Sequence, residues 1–233
     1  QKAAKFILKN QLTEEGKLFH NYKNGKISIN GYLEDYAAVT KAFIQLYEIT
    51  ANEIWLQKSA ILTQYAITNF YNEASKMFYF TSKKDPSLVA KTIEYQDNVI
   101  ASSNSVMAKN LFSLSHHLDN KNYKEIAITM LNNVKSEMVD NASSFSNWLD
   151  LMLNFTNPYY EVVVSGKDAK TKLTELNNTY LPNILVSYSD KESNLPLQRN
   201  RYTDSGTFIY VCVDNTCKLP VTSIDETLKL IKK

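Results

Sequence analysis

Cysteine occurs only twice in 233 residues, as Cys212 and Cys217. So low a content excludes the disulfide-dense scaffold of a small secreted domain and favours a reducing compartment, so a cytoplasmic location is the expectation. Glycine is also scarce, and no Gly-rich phosphate loop, nucleophile elbow or catalytic-triad spacing is present. Three scattered histidines and two cysteines lack the paired spacing of zinc sites, so neither a metal nor a cofactor is expected. No apolar run approaches the roughly 20 residues of a membrane helix. Even the densest helical stretch carries Glu34, Asp35, Lys41 and Gln45. Net charge is only +2 with both signs interspersed. There is therefore no basic field of the kind that nucleic acid or an anionic membrane attracts, and neither is expected as a partner. The chain opens at Gln1 without an initiator Met or a signal-peptide pattern, which predicts that the true N-terminus was removed or not included.

What the chain does have is apolar content, 44% of its residues, enough for a proper core. Residues 2 to 12 place Ala3, Phe6, Ile7 and Asn10 on one face, as the last turns of a helix would. Two short alternating runs flank Lys23-Asn24-Gly25, a hairpin signal. From Tyr32 to Thr50 apolar groups spread nearly all round the helical wheel, predicting a helix buried on most sides. Asn52 to Tyr71 instead separates Trp55, Leu56, Ala60, Ile67 and Phe70 from Gln57, Lys58 and Gln64, as an outer helix does. The alternation repeats. After a short strand at Met77-Phe78-Tyr79-Phe80-Thr81 come a rich apolar helix, Asn104 to Leu118, and an amphipathic one, Tyr123 to Met138, with Ala127, Met130, Leu131 and Val134 on one face.

A last helix, Ser144 to Phe155, ends at Asn157-Pro158, because proline cannot continue a helix. The expected boundary lies there: 1–157 as a partial α/α-toroid region and 158–233 as a small α/β region. In the second region, strands over Glu161–Val164, Asn183–Ser187 and Phe208–Val213 alternate with a helix from Asp168 to Tyr180. A final helix opens at Thr222, where Ser223 and Glu226 have capping-box spacing. The fold class expected is mainly α, about three helical hairpins of an α/α toroid plus a small C-terminal α/β layer.

Two polar motifs stand at the mouths of apolar helices: Gly31-Tyr32-Leu33-Glu34-Asp35-Tyr36-Ala37 and Asp97-Asn98-Val99-Ile100-Ala101-Ser102-Ser103-Asn104-Ser105-Val106. The first, followed by Leu46-Tyr47-Glu48 and Trp55-Leu56, resembles the signature of the thioredoxin-domain-containing proteins related to spermatogenesis-associated protein 20. Tyr22-Lys23-Asn24-Gly25-Lys26, Asn104-Ser105-Val106 and the stretch from Tyr210-Val211-Cys212 to Cys217-Lys218-Leu219-Pro220-Val221 fit the same pattern, in order along most of the chain. The resemblance implies a parent with an N-terminal thioredoxin-like domain and a six-hairpin toroid similar to glycosidases and N-acylglucosamine 2-epimerases. This chain is then its C-terminal portion, and the missing N-terminal part of the parent is an expected partner. Where the family shows Pro-Ser-Gly-Asn-Ser this chain has Ala101-Ser102-Ser103-Asn104-Ser105, and Lys91 stands where an Arg is common. No CxxC redox motif is present.

Each candidate residue has a structural and a functional reading. Glu34 and Asp35 complement the dipole of a helix N-terminus, or one of them faces a cavity as acid or base, with Asp97 opposite; paired carboxylates are what glycoside hydrolysis uses. Ser102, Ser103, Asn104 and Ser105 are strong cap formers, or with their amides they hold an anionic group. Tyr32, Tyr36 and Tyr95 pack in the core or stack on a sugar face. His116 and His117 suit a helix C-terminus, and His20 precedes the first motif without being a catalytic candidate. Cys212 and Cys217 are expected to pack as small apolar groups, the alternative being a small-loop disulfide or redox pairing with the absent thioredoxin-like domain. The resulting expectation is a parent that binds or transforms a sugar-like small molecule in a toroid cavity, with Glu34, Asp35 and Asp97 as catalytic candidates. Tyr32, Tyr36, Tyr95, Ser102, Asn104 and Ser105 are the expected substrate contacts, and this portion alone is expected to be inactive. The competing expectation is a non-catalytic scaffold for the thioredoxin-like domain. Carboxylates lining a concave pocket together with Asn104 would separate the two.

Overall fold

The computed structural model describes residues 1–86 and 90–231. They form two compact units, one of residues 1–114 with 121–152, the other of residues 115–120 with 153 onward. The division falls inside a helix, ahead of Pro158.

The first unit is built on α1 (Lys2–Asn10), α2 (Leu33–Thr50), α3 (Glu53–Phe70) and α5 (Lys121–Asp140), with most of α4 (Ser103–His117) and the start of α6 (Ser146–Thr156). Asn24 and Gly25 have φ of 51° and 76°, the type I′ turn that an Asn-Gly step favours. Lys23 and Lys26 exchange backbone hydrogen bonds of 2.9 and 3.0 Å across it. The expected hairpin is thus present, held by isolated bridges rather than continuous strands.

Helices α2 and α3 pack on each other through Ala51, which turns the chain at φ 52°, and Asn52, whose side chain accepts the Ile54 N–H at 3.2 Å. Tyr36, Phe43, Tyr47, Trp55 and Phe70 are buried between them and their neighbours. Each buried aromatic contributes on the order of 1.5–3 kcal/mol. The expectation that α2 is enclosed on most sides fails: its buried residues follow one stripe, Leu33, Tyr36, Ala37, Thr40, Phe43, Ile44 and Tyr47. Ala38, Lys41, Ala42, Gln45 and Ile49 stay exposed within the described residues. Helix α4 does meet that expectation, with Met107, Ala108, Asn110, Leu111, Phe112 and Leu114 all buried. On α5 the amphipathic stripe lies as expected, burying Ala127, Met130, Leu131 and Val134.

A short hairpin, β1 (Tyr71–Asn72) with β2 (Met77–Phe78), is joined to α4 by one side chain. Asn104 accepts the Phe78 N–H at 2.8 Å and donates to the carbonyls of Phe78 and Glu94 at 2.9 and 2.8 Å. Fully buried, it serves β2 as a neighbouring peptide would, and its polar atoms are satisfied without water.

In the second unit a sheet runs in the order β4-β3-β5-β6. Strand β3 (Tyr160–Ser165) is central and buried at every position. It pairs in parallel with β4 (Ile184–Ser189) after a crossover through α7 (Ala169–Leu176), and antiparallel with β5 (Phe208–Val213). Gly166 follows β3 at φ 135°, where a Cβ would stand 2.5 Å from the Gly206 carbonyl oxygen, so only glycine fits. Helix α8 (Ile224–Leu230) opens with the expected capping box, since Ser223 Oγ accepts the Glu226 N–H and Glu226 accepts the Ser223 N–H at 3.3 and 3.2 Å. Beyond the expected strands, β6 (Thr216–Cys217) pairs with the end of β5 across Asp214 and Asn215, both at positive φ. The expectation that the cysteines pack as separate apolar groups is corrected here: Cys212 and Cys217 stand opposite each other and are joined as a disulfide. The low cysteine count therefore no longer argues for a reducing compartment.

Replacing Asn104 with Ala orphans the Phe78 N–H inside the core and is expected to lower stability by about 2–3 kcal/mol, read as a shift of the urea midpoint.

Candidate functional site

The N-terminus of α2 begins with Gly31, where a Cβ would lie 2.9 Å from the Leu18 carbonyl oxygen. Close approach of the preceding loop brings His20 over the helix mouth. Asp35, in the first turn, accepts the Tyr32 N–H through Oδ2 at 2.8 Å. His20 Nδ1 lies 2.9 and 3.1 Å from the two Asp35 oxygens. The His20 ring tilts on Tyr32, which stacks on Phe80 with centroids 5.1 Å apart. Asp35 is thus both cap and hydrogen-bond partner of His20.

Glu34 has a different environment. Burial raises its pKa above the usual carboxylate range, the negative charges of Asp35 and Glu94 raise it further, and His20 opposes them. Beside it opens a cleft of about 420 Å³ whose walls include Glu34, Asp35, Lys41, Ile100, Ser103 and Val106. Ser103 is 2% exposed, and its Oγ has no hydrogen-bond partner among the described residues.

The second motif is occupied structurally. Asp97 Oδ1 accepts from Ser102 N and Ser105 Oγ at 2.9 and 2.7 Å, and Oδ2 accepts from Asn147 N at 2.8 Å. It caps the starts of α4 and α6, is 6% exposed and is not among the cleft residues. Ser102 Oγ accepts the Ser105 N–H at 3.2 Å. Ser103 N donates to Glu94 Oε2 and Asn104 N to the Glu94 carbonyl, at 3.3 and 3.4 Å. With the first amides of α4 supplied by protein acceptors, an anion has no donors left there, and Ser102, Asn104 and Ser105 lie buried as packing and capping groups. Tyr36 is also a core residue, its hydroxyl accepting the Leu18 N–H at 2.8 Å and burial raising its pKa. Tyr95 places its hydroxyl 3.4 Å from Glu137 and its carbonyl under the Trp148 Nε1–H, outside the cleft lining.

Of the residues expected at a site, the structure gathers Glu34 and Asp35 at one cleft, with Tyr32 stacked beside Asp35's partner His20. Sequence reasoning set His20 aside, weighed Ser103 only as a cap former or anion holder, and missed Glu94 and Lys41. Glu94 stands in an irregular segment without periodicity, and only folding brings it to Glu34.

No family profile matches the chain. It is similar to spermatogenesis-associated protein 20. The human protein is 25% identical over 215 residues, covering 86% of this chain and 27% of that protein. The mouse protein is 24% identical over 214 residues, with the same two coverages. An uncharacterised protein of Caenorhabditis elegans is 25% identical over 256 residues, covering all of this chain and 34% of its own length. The chain thus spans about a third or less of the curated relatives it matches. No described helix is long and apolar enough to cross a membrane, and no group of three or more His, Cys, Asp or Glu among the described residues is placed to hold a metal.

The raised pKa of Glu34 has a sign. A carboxyl that is harder to ionise in the folded chain than in the unfolded one leaves stability intact at low pH and removes some as pH rises through its folded pKa. Glu34→Gln is therefore expected to melt higher than wild type at pH 7, and the difference is expected to vanish below about pH 4, as thermal unfolding followed across pH will show.

Proposed function

We propose that the cleft at the N-terminus of α2 binds a small polyhydroxylated, sugar-like molecule, and that Glu34 acts there as a proton donor. The observation that carries the reading is one carboxyl, Glu34, whose pKa is raised by burial and by the charges of Asp35 and Glu94, on an open cleft that Asp35 also lines. Acid–base chemistry on a hydroxyl or glycosidic oxygen needs such a division, one group able to give a proton and another ionised nearby. His20 orients Asp35, and Lys41 supplies a donor for substrate hydroxyls. Asp97 is left out of the chemistry because its oxygens already accept three hydrogen bonds. The resemblance to proteins with an α/α toroid similar to glycosidases and epimerases supports the substrate class. On this reading the chain supplies one part of the toroid, and the rest of a longer parent completes the cavity; a cytoplasmic setting belongs to the same proposal.

A second reading rests on a separate observation. An apolar trench of about 520 Å³ runs between α1 and α2, lined by Ala3, Ile7, Val39, Ala42, Leu46 and Ile49. Ile49 is 59% exposed there, and the relatives are several times longer than this chain. Those facts favour a non-catalytic scaffold on which another part of the parent, such as a thioredoxin-like domain, docks.

A thermal-shift screen of the full-length protein against sugars and sugar phosphates separates the two. The catalytic reading expects at least one compound to raise the melting midpoint by several degrees at about 100-fold excess over Kd. It also expects Glu34→Gln or Lys41→Ala to weaken that compound about tenfold, the loss of one hydrogen bond. A screen without any shift, or a shift indifferent to both substitutions, overturns it.

A further inference from the structure

The second unit holds an arrangement that the cleft does not use. The guanidinium of Arg201 faces both sulfurs of the disulfide, with Nη1 3.5 Å from Cys212 Sγ and Nη2 3.2 Å from Cys217 Sγ. It is held there by the Tyr210 ring, 4.8 Å from its carbon, and by its own backbone N–H, which donates to the Gln198 carbonyl at 3.1 Å. The two sulfurs differ in access. Cys212 is 1% exposed on β5, whereas Cys217 is exposed on β6 at the edge of the sheet.

The turn between the cysteines is anchored independently of the sulfur bond. Glu161, fully buried on β3, accepts the Asn215 N–H through Oε2 at 3.1 Å and meets His116 Nδ1 through Oε1 at 2.7 Å. Asn215 Nδ2 donates to Asp119 at 3.2 Å, and past the turn Lys218 N donates to the Val211 carbonyl at 3.0 Å. Opening the disulfide therefore leaves both sulfurs opposite each other and against the same cation.

The geometry points to a thiol-exchange site: Cys212–Cys217 is a reversibly reducible disulfide, attacked at Cys217 by an external dithiol, with Arg201 holding the thiolate that leaves. In the first step a thiolate of the dithiol attacks Cys217 Sγ, the Sγ–Sγ bond breaks, and Cys212 Sγ departs with the electron pair toward Arg201 Nη1. In the second, the other thiolate of the dithiol attacks the sulfur of its own partner in the mixed disulfide and displaces Cys217 Sγ toward Nη2. The dithiol is oxidised to its disulfide, the protein pair is reduced, and the two protons given up by the dithiol satisfy the two new thiols. A leaving thiolate is released faster when its negative charge is stabilised, and a positive group beside a thiol favours its thiolate. Placing the cation on both sulfurs also favours the reduced state at equilibrium, while burial of Cys212 directs attack to Cys217.

The test uses the full chain in buffers of defined dithiothreitol redox ratio, with alkylation and mass spectrometry as readout. Wild type is expected to carry the Cys212–Cys217 bond when oxidised and to reduce reversibly. In Arg201→Gln the reduction equilibrium constant is expected to fall about tenfold, which corresponds to roughly 30 mV more negative, and Arg201→Lys is expected to recover part of the loss. Trapping wild type with a monothiol, 2-mercaptoethanol, maps the first attack without any substitution and is expected to place the adduct on Cys217. Absence of the bond in the non-reduced chain, an adduct on Cys212, or an equilibrium constant unchanged in a folded Arg201→Gln variant overturns the proposal.

Discussion

The buried start of α4 is the constraint on which the first unit depends. A helix leaves its first N–H groups without intrahelical acceptors, and burying them unmet would cost several kcal/mol. The chain meets the demand with acceptors from outside the helix: Asp97 takes Ser102 N, and Glu94 takes Ser103 N through its carboxylate and Asn104 N through its carbonyl. Asp97 also accepts from Asn147 N and so ties the start of α6 to the start of α4. Asn104 reaches outward in the same place and completes the edge of β2. One cluster of polar groups thus orients two helices and a hairpin, and the residues that most suggest a ligand site are those the fold itself uses.

The cleft follows from that arrangement. Glu94 is brought near Glu34 because its carboxylate and carbonyl both serve α4, and its charge helps to raise the pKa of the Glu34 carboxyl. Neighbouring acids in one helical turn then part ways. Asp35 turns back to the Tyr32 N–H and to His20, while Glu34 stays beside the cleft. Adjacent positions along a helix point about 100° apart, so such a division of roles needs no more than one residue of offset.

Glu161 has a comparable place in the second unit. A carboxylate on a fully buried central strand is costly unless its oxygens are engaged, and His116 and the Asn215 N–H engage them. That second bond sets the turn carrying β5 into β6, and with it the pairing of Cys212 with Cys217 beside Arg201.

Local chemistry was readable from the residues alone wherever it depended on near neighbours. The Asn24-Gly25 turn, the Ser223–Glu226 capping box, the amphipathic stripe of α5 and the strands of the second unit are all short-range patterns, decided by backbone preference and side-chain period. Burial of α2 was misread because its wheel carries apolar residues on two faces, Tyr36 and Phe43 on one and Val39, Ala42 and Ile49 on the other, and composition does not say which face finds a partner. Tertiary structure alone decided that Asp97 is consumed in capping, that Glu94 and His20 join Glu34 and Asp35, and that the cysteines meet across a strand pair. Each of these is a long-range encounter between polar groups, and for such groups the choice between a cap, a ligand contact and a bond is made by which acceptor the folded chain leaves within about 3 Å.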